Sequence, residues 1–449
     1  MNLDETIVAI ATAPGVGAIA IVRASGPHVR ALAARLFASR EPLRERYATY
    51  GDVLDERGEK IDRGIAILAY APQTYTGEDT LELQVHGSTA IAAEVVRALI
   101  ACGARAAGPG EFTRRAFLHG KLDLHAAAAV GDAIAAQSRS AARAALANLG
   151  GGLANEVRVL RAILANLLEQ LAASLDFPDE VPEPQRAHLA TTLDELASSL
   201  QALQRDGEVG KLVREGVGVA IVGPPNAGKS SLLNALLGEE RALVSEQAGT
   251  TRDTIEESIA IDGVLVRLVD TAGIRAHADR LEAAGIERTA RALAGARLAL
   301  IVLDGSQPVG DEGASLLERT EGRERIVFFN KADLGRSGAD AHPIHGAIVG
   351  SVNDDATLAV LRAAIARAGW GGKTLDLERP HLASAWEFDA VAQALSAIDR
   401  ARSTVAAGEP VDLIAGELQR AHAALGQVTG DVATEELLDG IFSRFCIGK

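Results

Sequence analysis

Residues 223–231 read GPPNAGKSS and come directly after the apolar run VGVAIV at 217–222. The pattern Gly-x4-Gly-Lys-Ser is typical of a phosphate-binding loop, whose backbone N–H groups surround the phosphates of a nucleoside triphosphate. In such a loop Lys229 reaches the β- and γ-phosphates, and the Ser230 hydroxyl binds Mg²⁺. The helix predicted to begin near Lys229 adds the positive end of its dipole. Strand, loop and helix follow in the required order, which predicts a nucleotide site rather than an ordinary glycine-rich turn.

Composition limits the class of protein. The chain has 449 residues, of which 48% are hydrophobic, so about three domains with large cores are expected. The net charge of −15 and the aromatic content of 3% argue against broad, unaided binding to nucleic acid. We therefore expect a partner protein to contribute much of the affinity for any nucleic-acid substrate. The chain has two cysteines, no apolar run long enough to span a bilayer and no signal-peptide pattern, so we expect a cytoplasmic protein without a membrane partner.

Changes in sequence pattern divide the chain into four segments. Short strands mixed with helices predict an α+β domain over residues 1–120, in which the polar turn ERGEK at 56–60 joins two strands as a hairpin. Leucines spaced by three and four residues predict the first part of an all-α helical bundle over 121–213, and the prolines of DFPDEVPEP at 176–184 predict a break between two of its helices. Strands alternating with helices predict an inserted α/β domain with a mainly parallel sheet over 214–372. Helical periodicity returns over 373–449 and predicts the second part of the bundle, so the fold is multidomain.

A second motif selects the base. Residues 330–333 read NKAD and end the apolar strand RIVFF. The Asp333 carboxylate can accept two hydrogen bonds from the N1–H and exocyclic amine of guanine, a pair that adenine does not offer. Asn330 can bond N7 of the base or bridge to the phosphate loop, and the Lys331 stem can lie over the base. The motif therefore predicts GTP rather than ATP, and a Ras-like GTPase domain.

Two further motifs complete the GTPase pattern. DTAG at 270–273 ends the strand VLVRLV, where Asp270 can hold Mg²⁺ through water and the Gly273 N–H can sense the γ-phosphate. GTTRD at 249–253 lies where a switch loop belongs, and Thr250 or Thr251 can close on Mg²⁺ and the γ-phosphate. A Ras-type enzyme has a water-orienting Gln directly after DTAG, whereas this chain has Ile274. No arginine finger is evident, so another group must supply charge and orient water.

The motifs GPPNAGKSS, GTTRD, DTAGIR, NKAD and a terminal FCIGK, in this order, resemble the MnmE (TrmE) family of tRNA-modification GTPases. The stretches TGEDTLELQVHG at 76–87 and GEFTRRAFLHGKLDL at 110–124 resemble the same family, so the similarity covers essentially the whole chain. The GTPase motifs are shared by many GTPases, whereas FCIGK together with GEFTRRAF is far more specific.

The resemblance implies how the missing arginine is replaced. In the family, K⁺ beside the phosphates takes its place, and here the ion would be held by Asn226, Ser245, Gln247 and Thr250. Mg²⁺ would be held by Ser230 and Thr251. Glu282 matches the family's catalytic Glu and would orient the attacking water. The implied GTP-binding residues are Asn226, Ala227, Gly228, Lys229, Ser230, Ser231, Ser245, Glu246, Gln247, Ala248, Gly249, Thr250, Thr251, Asp270, Thr271, Ala272, Gly273, Asn330, Lys331, Asp333 and, for guanine O6, Ser351.

The resemblance also implies a second site, in the N-terminal domain. Arg23, Glu82, Lys121 and Lys449 would bind a tetrahydrofolate derivative, either 5,10-methylene- or 5-formyl-tetrahydrofolate, with the carboxylate on the aminopyrimidine edge and the basic groups on the ligand's carboxylates. Cys446 would face the modification centre as a nucleophile or proton donor. The same domain would form a homodimer.

The expected activity follows from this resemblance. The chain would hydrolyse GTP and work with the FAD-containing protein MnmG, in a heterotetramer or larger assembly, to add an aminomethyl or carboxymethylaminomethyl group to C5 of the wobble uridine of certain tRNAs. Hydrolysis would drive the G domains of the dimer together and apart. The alternative is a ribosome-assembly or regulatory switch GTPase, whose G domain would look alike but which usually carries a separate basic RNA-binding module.

Overall fold

The computed structural model describes residues 2–238, 257–261, 263–269, 290–335, 340, 343–369 and 379–449. In it the chain forms two compact units. The first comprises Met1–Gly131, Asn148–Ala197 and Ala390–Lys449, and the second comprises Asp132–Ala147 and Ser198–Asp389. The predicted fold class is confirmed, with an α+β N-terminal part, a helical part and an inserted α/β part. The boundaries proposed at residues 120, 213 and 372 remain predictions. None of the helices in the described part of the chain is both long and apolar enough to cross a membrane.

The N-terminal part is built on a seven-stranded sheet with the order β3-β4-β5-β6-β2-β1-β7. Its strands are antiparallel except for the parallel pair β1 and β7. The strands are β1 Ile7–Ile10, β2 Ile19–Ser25, β3 Phe37–Ala38, β4 Thr49–Leu54, β5 Lys60–Ala69, β6 Thr80–His86 and β7 Arg105–Ala106, and the helices are α1 Val29–Leu36, α2 Thr89–Ala101 and α3 Glu111–Leu118. Buried side chains of α1 and α2 form one core with the alternate inward positions of the strands.

The hairpin predicted around ERGEK is present as β4 and β5. Asp55 closes its turn, because one carboxylate oxygen accepts hydrogen bonds from the N–H groups of Arg57, at 2.9 Å, and Glu59, at 2.7 Å. Gly58 has φ of 86°, in the left-handed region that favours glycine. The turn chemistry therefore agrees with the prediction made from the sequence.

Long helices follow the first sheet and return after the α/β part. They are α4 Leu124–Ala135, α5 Arg139–Leu149, α6 Gly152–Asp176 and α7 Arg186–Glu215, then α11 Ala385–Ala406, α12 Val411–Thr429 and α13 Glu435–Phe442. The predicted leucine faces of α6 and α7 are largely buried, and α6 packs along α12. Helix α6 ends at Asp176, before the proline-containing segment 177–184, as expected from the sequence.

The α/β part has a six-stranded sheet with the order β13-β12-β11-β8-β10-β9. Its strands are parallel except for β9, which pairs antiparallel with β10. The elements are β8 Val217–Val222, α8 Lys229–Gly238, β9 Glu257–Ile261, β10 Val264–Val269, β11 Leu298–Asp304, α9 Asp311–Arg319, β12 Arg325–Asn330, β13 Ile348–Val349 and α10 Asp355–Gly369. Apolar cores cover both faces of the sheet. The carboxyl ends of the parallel strands β8, β11 and β12 therefore meet at one edge, where doubly wound folds bind ligands.

Candidate functional site

The phosphate loop connects β8 to α8, as the sequence predicted. Two of its glycines have no room for a side chain. A Cβ on Gly223 would lie 2.1 Å from the Val302 carbonyl oxygen. Gly228 has φ of 97°, and a Cβ there would lie 2.2 Å from the Asn330 amide nitrogen. The loop thus runs close against the neighbouring strands, and Ala227 within it is buried.

Lys229, the first residue of α8, is held by the loop itself. Its Nζ donates hydrogen bonds to the carbonyl oxygens of Gly223, at 2.8 Å, and Pro224, at 2.7 Å. Burial lowers the pKa of Lys229 below its ordinary value, against a smaller opposing effect of the Glu312 carboxylate. Neutral carbonyls satisfy the donors without cancelling the charge, so the ammonium stays available to phosphate oxygens.

Three predicted ligand-binding side chains of the loop are exposed, those of Asn226, Ser230 and Ser231. Asn226 has φ of 61°, a left-handed conformation that Asn tolerates better than most residues. Ser230 lies in the first turn of α8, where N–H groups without intrahelical partners and the helix dipole favour an anion. The loop can therefore present hydroxyl and amide oxygens to cations beside bound phosphates.

Asn330 connects the phosphate loop to the predicted base-binding segment. It is 1% exposed and ends β12. Its Nδ2 donates a hydrogen bond to the Ala227 carbonyl oxygen at 2.9 Å, and its Oδ1 accepts one from the Val352 N–H at 3.0 Å. Both groups of this amide are therefore bonded to protein, one on each side of the site.

The remaining residues expected at the base surround this connection. Lys331 has φ of 62°, and its Nζ donates to Asp304 Oδ2 at 2.8 Å. Asp333 is exposed. Ser351 is buried, and its Oγ accepts a hydrogen bond from the Asn353 N–H at 3.2 Å. The contact expected between Ser351 and guanine O6 stays a prediction.

Several predicted site residues lie outside the described part of the chain. They are Ser245, Glu246, Gln247, Ala248, Gly249, Thr250, Thr251, Asp270, Thr271, Ala272, Gly273 and Glu282. The assignments of the switch loop, the catalytic Glu and most of the K⁺ ligands therefore stay predictions.

In the N-terminal part, two of the predicted folate residues bond to each other. Arg23 on β2 lies opposite Glu82 on β6 in the antiparallel register. The Arg23 Nε donates to Glu82 Oε1 at 2.8 Å, and the Arg23 guanidinium carbon lies 5.9 Å from the centre of the Phe112 ring. Since both side chains are partly exposed, a ligand would have to share or replace this ion pair.

The C-terminal segment lies against the same region. The Phe112 N–H donates to the Lys449 carbonyl oxygen at 3.1 Å, and Ile447 pairs with Pro109 in an antiparallel bridge. This brings Lys449 to the residue whose ring faces Arg23, and leaves Cys446 exposed. Lys121 instead donates to the Pro72 carbonyl oxygen at 3.0 Å, and no described contact joins it to Arg23 or Glu82.

The sequence reasoning missed a buried ion-pair network. Arg115, on α3, is 0% exposed. Its guanidinium donates to Glu78 Oε1 at 2.8 Å and to Glu111 Oε1 at 3.2 Å. Burial pushes the pKa of Glu111 up, but hydrogen bonds from Arg105 and from the Gly108 N–H outweigh this and leave it lowered. The network joins the two stretches at 76–87 and 110–124 through their charged residues. In the sequence, the only indication of this network is that both stretches are rich in charged residues.

The neighbouring residue, Arg114, extends this attachment to the end of the chain. Its side chain is 14% exposed and forms ion pairs with Glu435 and, at 2.7 Å, with Asp439, both on α13. A Cβ on Gly110 would lie 2.7 Å from the Phe442 carbonyl oxygen, so α13 packs closely on the start of α3. Helix α3 therefore positions the FCIGK segment beside the sheet.

Comparison with known proteins assigns most of the chain. Residues 124–446 match the model of the MnmE helical domain, and residues 6–121 match that of the GTP-binding protein TrmE N-terminus. The chain is 42% identical over 454 residues to a tRNA modification GTPase MnmE of Chloroflexus aurantiacus, and 40% identical over 460 residues to one of Chromobacterium violaceum, with 100% of each chain covered. A solved G domain of the T. maritima FeoB iron transporter covers 34% of this chain and 98% of its own length at 24% identity, with a TM-score of 0.25.

Proposed function

Because the chain belongs to the MnmE family of tRNA modification GTPases, we propose that it hydrolyses GTP and that this hydrolysis serves tRNA modification. The observation that carries the proposal is the pairing of the two nucleotide loops: a phosphate loop whose Lys229 is bonded only to backbone carbonyls among its described hydrogen bonds, joined through Asn330 to the NKAD segment. Similarity over the whole length of curated relatives supports the same activity.

Different residues of the chain would bind the phosphates, bind the base and orient the attacking water. Lys229 would exchange its two carbonyl partners for phosphate oxygens, and Asp333 would accept hydrogen bonds from guanine N1–H and the exocyclic amine. Glu282 would orient a water for attack on the γ-phosphorus. The water oxygen bonds to that phosphorus as the bond to the oxygen bridging to the β-phosphate breaks. One water proton passes to the released phosphate or to solvent, and GDP and phosphate leave.

Two cations are part of this proposal. Ser230 and Thr251 would hold Mg²⁺, and Asn226, Ser245, Gln247 and Thr250 would hold K⁺. The exposed amide of Asn226 and the exposed hydroxyl of Ser230 suit these roles, since amide and hydroxyl oxygens are hard ligands. When bound, the cations offset the negative charge that develops between the phosphates.

The K⁺ assignment gives a direct test of the mechanism. We expect steady-state GTP hydrolysis by the full chain to be fast in KCl and slow in NaCl at equal ionic strength. Asn226→Ala should lose most of the stimulation by K⁺ while still binding GDP. Equal turnover in both salts would remove Asn226 from this role and leave the charge compensation to another group.

The N-terminal site would hold the one-carbon donor. Arg23, Glu82 and Lys449 are proposed to bind a tetrahydrofolate derivative, with Lys121 as a further basic group. The support is that Arg23 bonds to Glu82 and lies over the Phe112 ring, and that the Phe112 N–H bonds to the Lys449 carbonyl oxygen. Exposed Cys446 would face the modification centre. This part would also form the homodimer, with GTP hydrolysis moving the G domains together and apart.

The proposed reaction takes place in the cytoplasm with the FAD-containing partner MnmG, and adds the aminomethyl or carboxymethylaminomethyl group to C5 of the wobble uridine. The test is the mass of that nucleoside in tRNA from cells lacking this chain. We expect the modified mass to disappear and to return with the intact gene but not with a Lys229→Ala copy. An unchanged modified mass would contradict the proposal and favour a ribosome-assembly switch.

A further inference from the structure

The acidic residue at the end of β11 lies beside the base-binding segment but belongs to none of the motifs that predicted the nucleotide site. Asp304 is the last residue of β11 and lies opposite Asn330 in the parallel pairing of β11 with β12. The next residue, Gly305, donates its N–H to the Asn330 carbonyl oxygen at 2.7 Å. This register places the Asp304 carboxylate next to the side chain of Lys331.

Both oxygens of this carboxylate are engaged. Oδ1 accepts hydrogen bonds from the Ser306 N–H, at 3.0 Å, and from the Ser306 hydroxyl, at 2.6 Å, which fix the orientation of the group. Oδ2 accepts from Lys331 Nζ at 2.8 Å. Burial pushes the pKa of Asp304 up, but the bonds from Lys331 and Ser306 outweigh this and leave it below its ordinary value, so the carboxylate is charged at neutral pH.

Lys331 is therefore fixed at two points. Its backbone has φ of 62°, and its ammonium is paired with a carboxylate that is itself held by Ser306. The side chains of Lys331 and Asp304 are 29% and 21% exposed, so the pair is partly shielded from water and its attraction is only partly screened. The four-carbon stem between the two fixed points has little freedom left.

The two lysines of the site differ in the charge of their hydrogen-bond partners. Lys229 is bonded to neutral carbonyls, whereas Lys331 is bonded to a carboxylate. The positive charge is thus retained where phosphates would bind and cancelled at the base end. A nucleotide entering in the wrong orientation would meet Lys331 already paired with a carboxylate, which weakens the attraction of this lysine for phosphates.

We propose that Asp304 is a positioning residue of the nucleotide site, which holds the Lys331 stem in place for the guanine ring and pairs its charge so that Lys331 does not compete with Lys229 for the triphosphate. This inference rests on the proposed GTPase function. It assigns to Asp304 a share of nucleotide affinity but no part in the bond-breaking step.

The test uses the full chain and measures dissociation constants for GDP and GTP together with the steady-state constants. Asp304→Asn should weaken GDP and GTP equally, by about tenfold, because the lost contact lies at the base end. KM should rise while kcat stays close to that of the wild type. In a double-mutant cycle with Lys331→Met, adding Asp304→Asn should cause no further loss of GDP affinity.

A second variant keeps the Asp304 carboxylate and removes the hydroxyl that bonds to its Oδ1, while the backbone N–H of residue 306 remains. Ser306→Ala should weaken GDP by a smaller factor, about two- to threefold, and it decides the question if Asp304→Asn does not fold. Unchanged GDP affinity in the folded variant, additive losses in the cycle, or a fall in kcat matching the fall in affinity would each overturn the inference. A wild-type chain that binds neither GDP nor GTP would instead overturn the proposed function, so the two failures are distinguishable.

Discussion

Arg115 on α3 and Lys229 of the phosphate loop are both cations, but their hydrogen-bond partners differ in charge. The Arg115 guanidinium bonds to two carboxylates, those of Glu78 and Glu111, as well as to the Glu5 carbonyl oxygen, and Glu111 also bonds to Arg105. Lys229 is bonded to two carbonyl oxygens of its own loop. The charge of Arg115 is therefore compensated inside the protein, whereas that of Lys229 is left uncompensated by its described hydrogen-bond partners.

This difference has an energetic meaning. A buried cation paired with carboxylates stabilises the fold only as part of its network, and removal of one member leaves uncompensated charge. A cation on neutral carbonyls can exchange them for a stronger anionic partner when the ligand arrives. Mutation should thus affect stability in the first case and affinity in the second.

The largest effect is expected in the buried network. Arg115→Met should lower the free energy of unfolding by about 3–5 kcal/mol, because Glu78 and Glu111 would lose their buried partner. Urea unfolding followed by circular dichroism measures this change, and GDP affinity should be unaffected. Arg35→Met, an exposed arginine on α1, is the matched control and should unfold like the wild type. Equal stability of the two variants would contradict a structural role for Arg115.

A smaller effect, on binding rather than stability, is expected at the phosphate loop. Lys229→Ala should weaken GTP by about 3 kcal/mol, or roughly 100-fold, through loss of charge-assisted bonds to the phosphates. Calorimetric titration with a non-hydrolysable GTP analogue measures the loss, with the exposed Lys211→Ala on α7 as control. A large drop in unfolding stability without loss of affinity would show that Lys229 acts as a structural cation.

The smallest effect is a dependence on pH. The pKa of Glu111 is lowered from its ordinary value of 4.5, so its ionised form stabilises the folded state above that pH. This stability is lost as the pH falls below 4.5 toward the folded pKa. The difference in unfolding midpoint between the wild type and Glu111→Gln should therefore be constant near neutral pH and shrink below 4.5. If this difference did not change with pH, ionised Glu111 would not contribute to the stability of the folded state.

The parts that the sequence predicted well depend on local pattern. The strands of the α/β domain are apolar runs followed by turn motifs, and the two nucleotide loops follow β8 and β12 directly, so their positions could be read without knowing the fold. The hairpin at Asp55 is equally local. These features require only neighbours in the chain.

The parts that were missed depend on distant pairing. Arg115 and Glu78 are 37 residues apart, and Lys331 and Asp304 are 27 apart, on different elements in each case. A charged stretch such as EFTRR at a helix start is typical of a solvated surface, so its burial could not be predicted. Likewise, the antiparallel register that places Arg23 opposite Glu82 is visible only in the folded sheet.

Asn330 has one further consequence for how the pocket works. Its amide is bonded to the Ala227 carbonyl of the predicted phosphate loop on one side and to the Val352 N–H on the other, although the first bond joins residues 103 apart in the chain. One side chain therefore links the two loops that are proposed to hold the two ends of the nucleotide. Under that proposal, a purine that fits poorly at the base end would disturb the phosphate loop through the Asn330 amide.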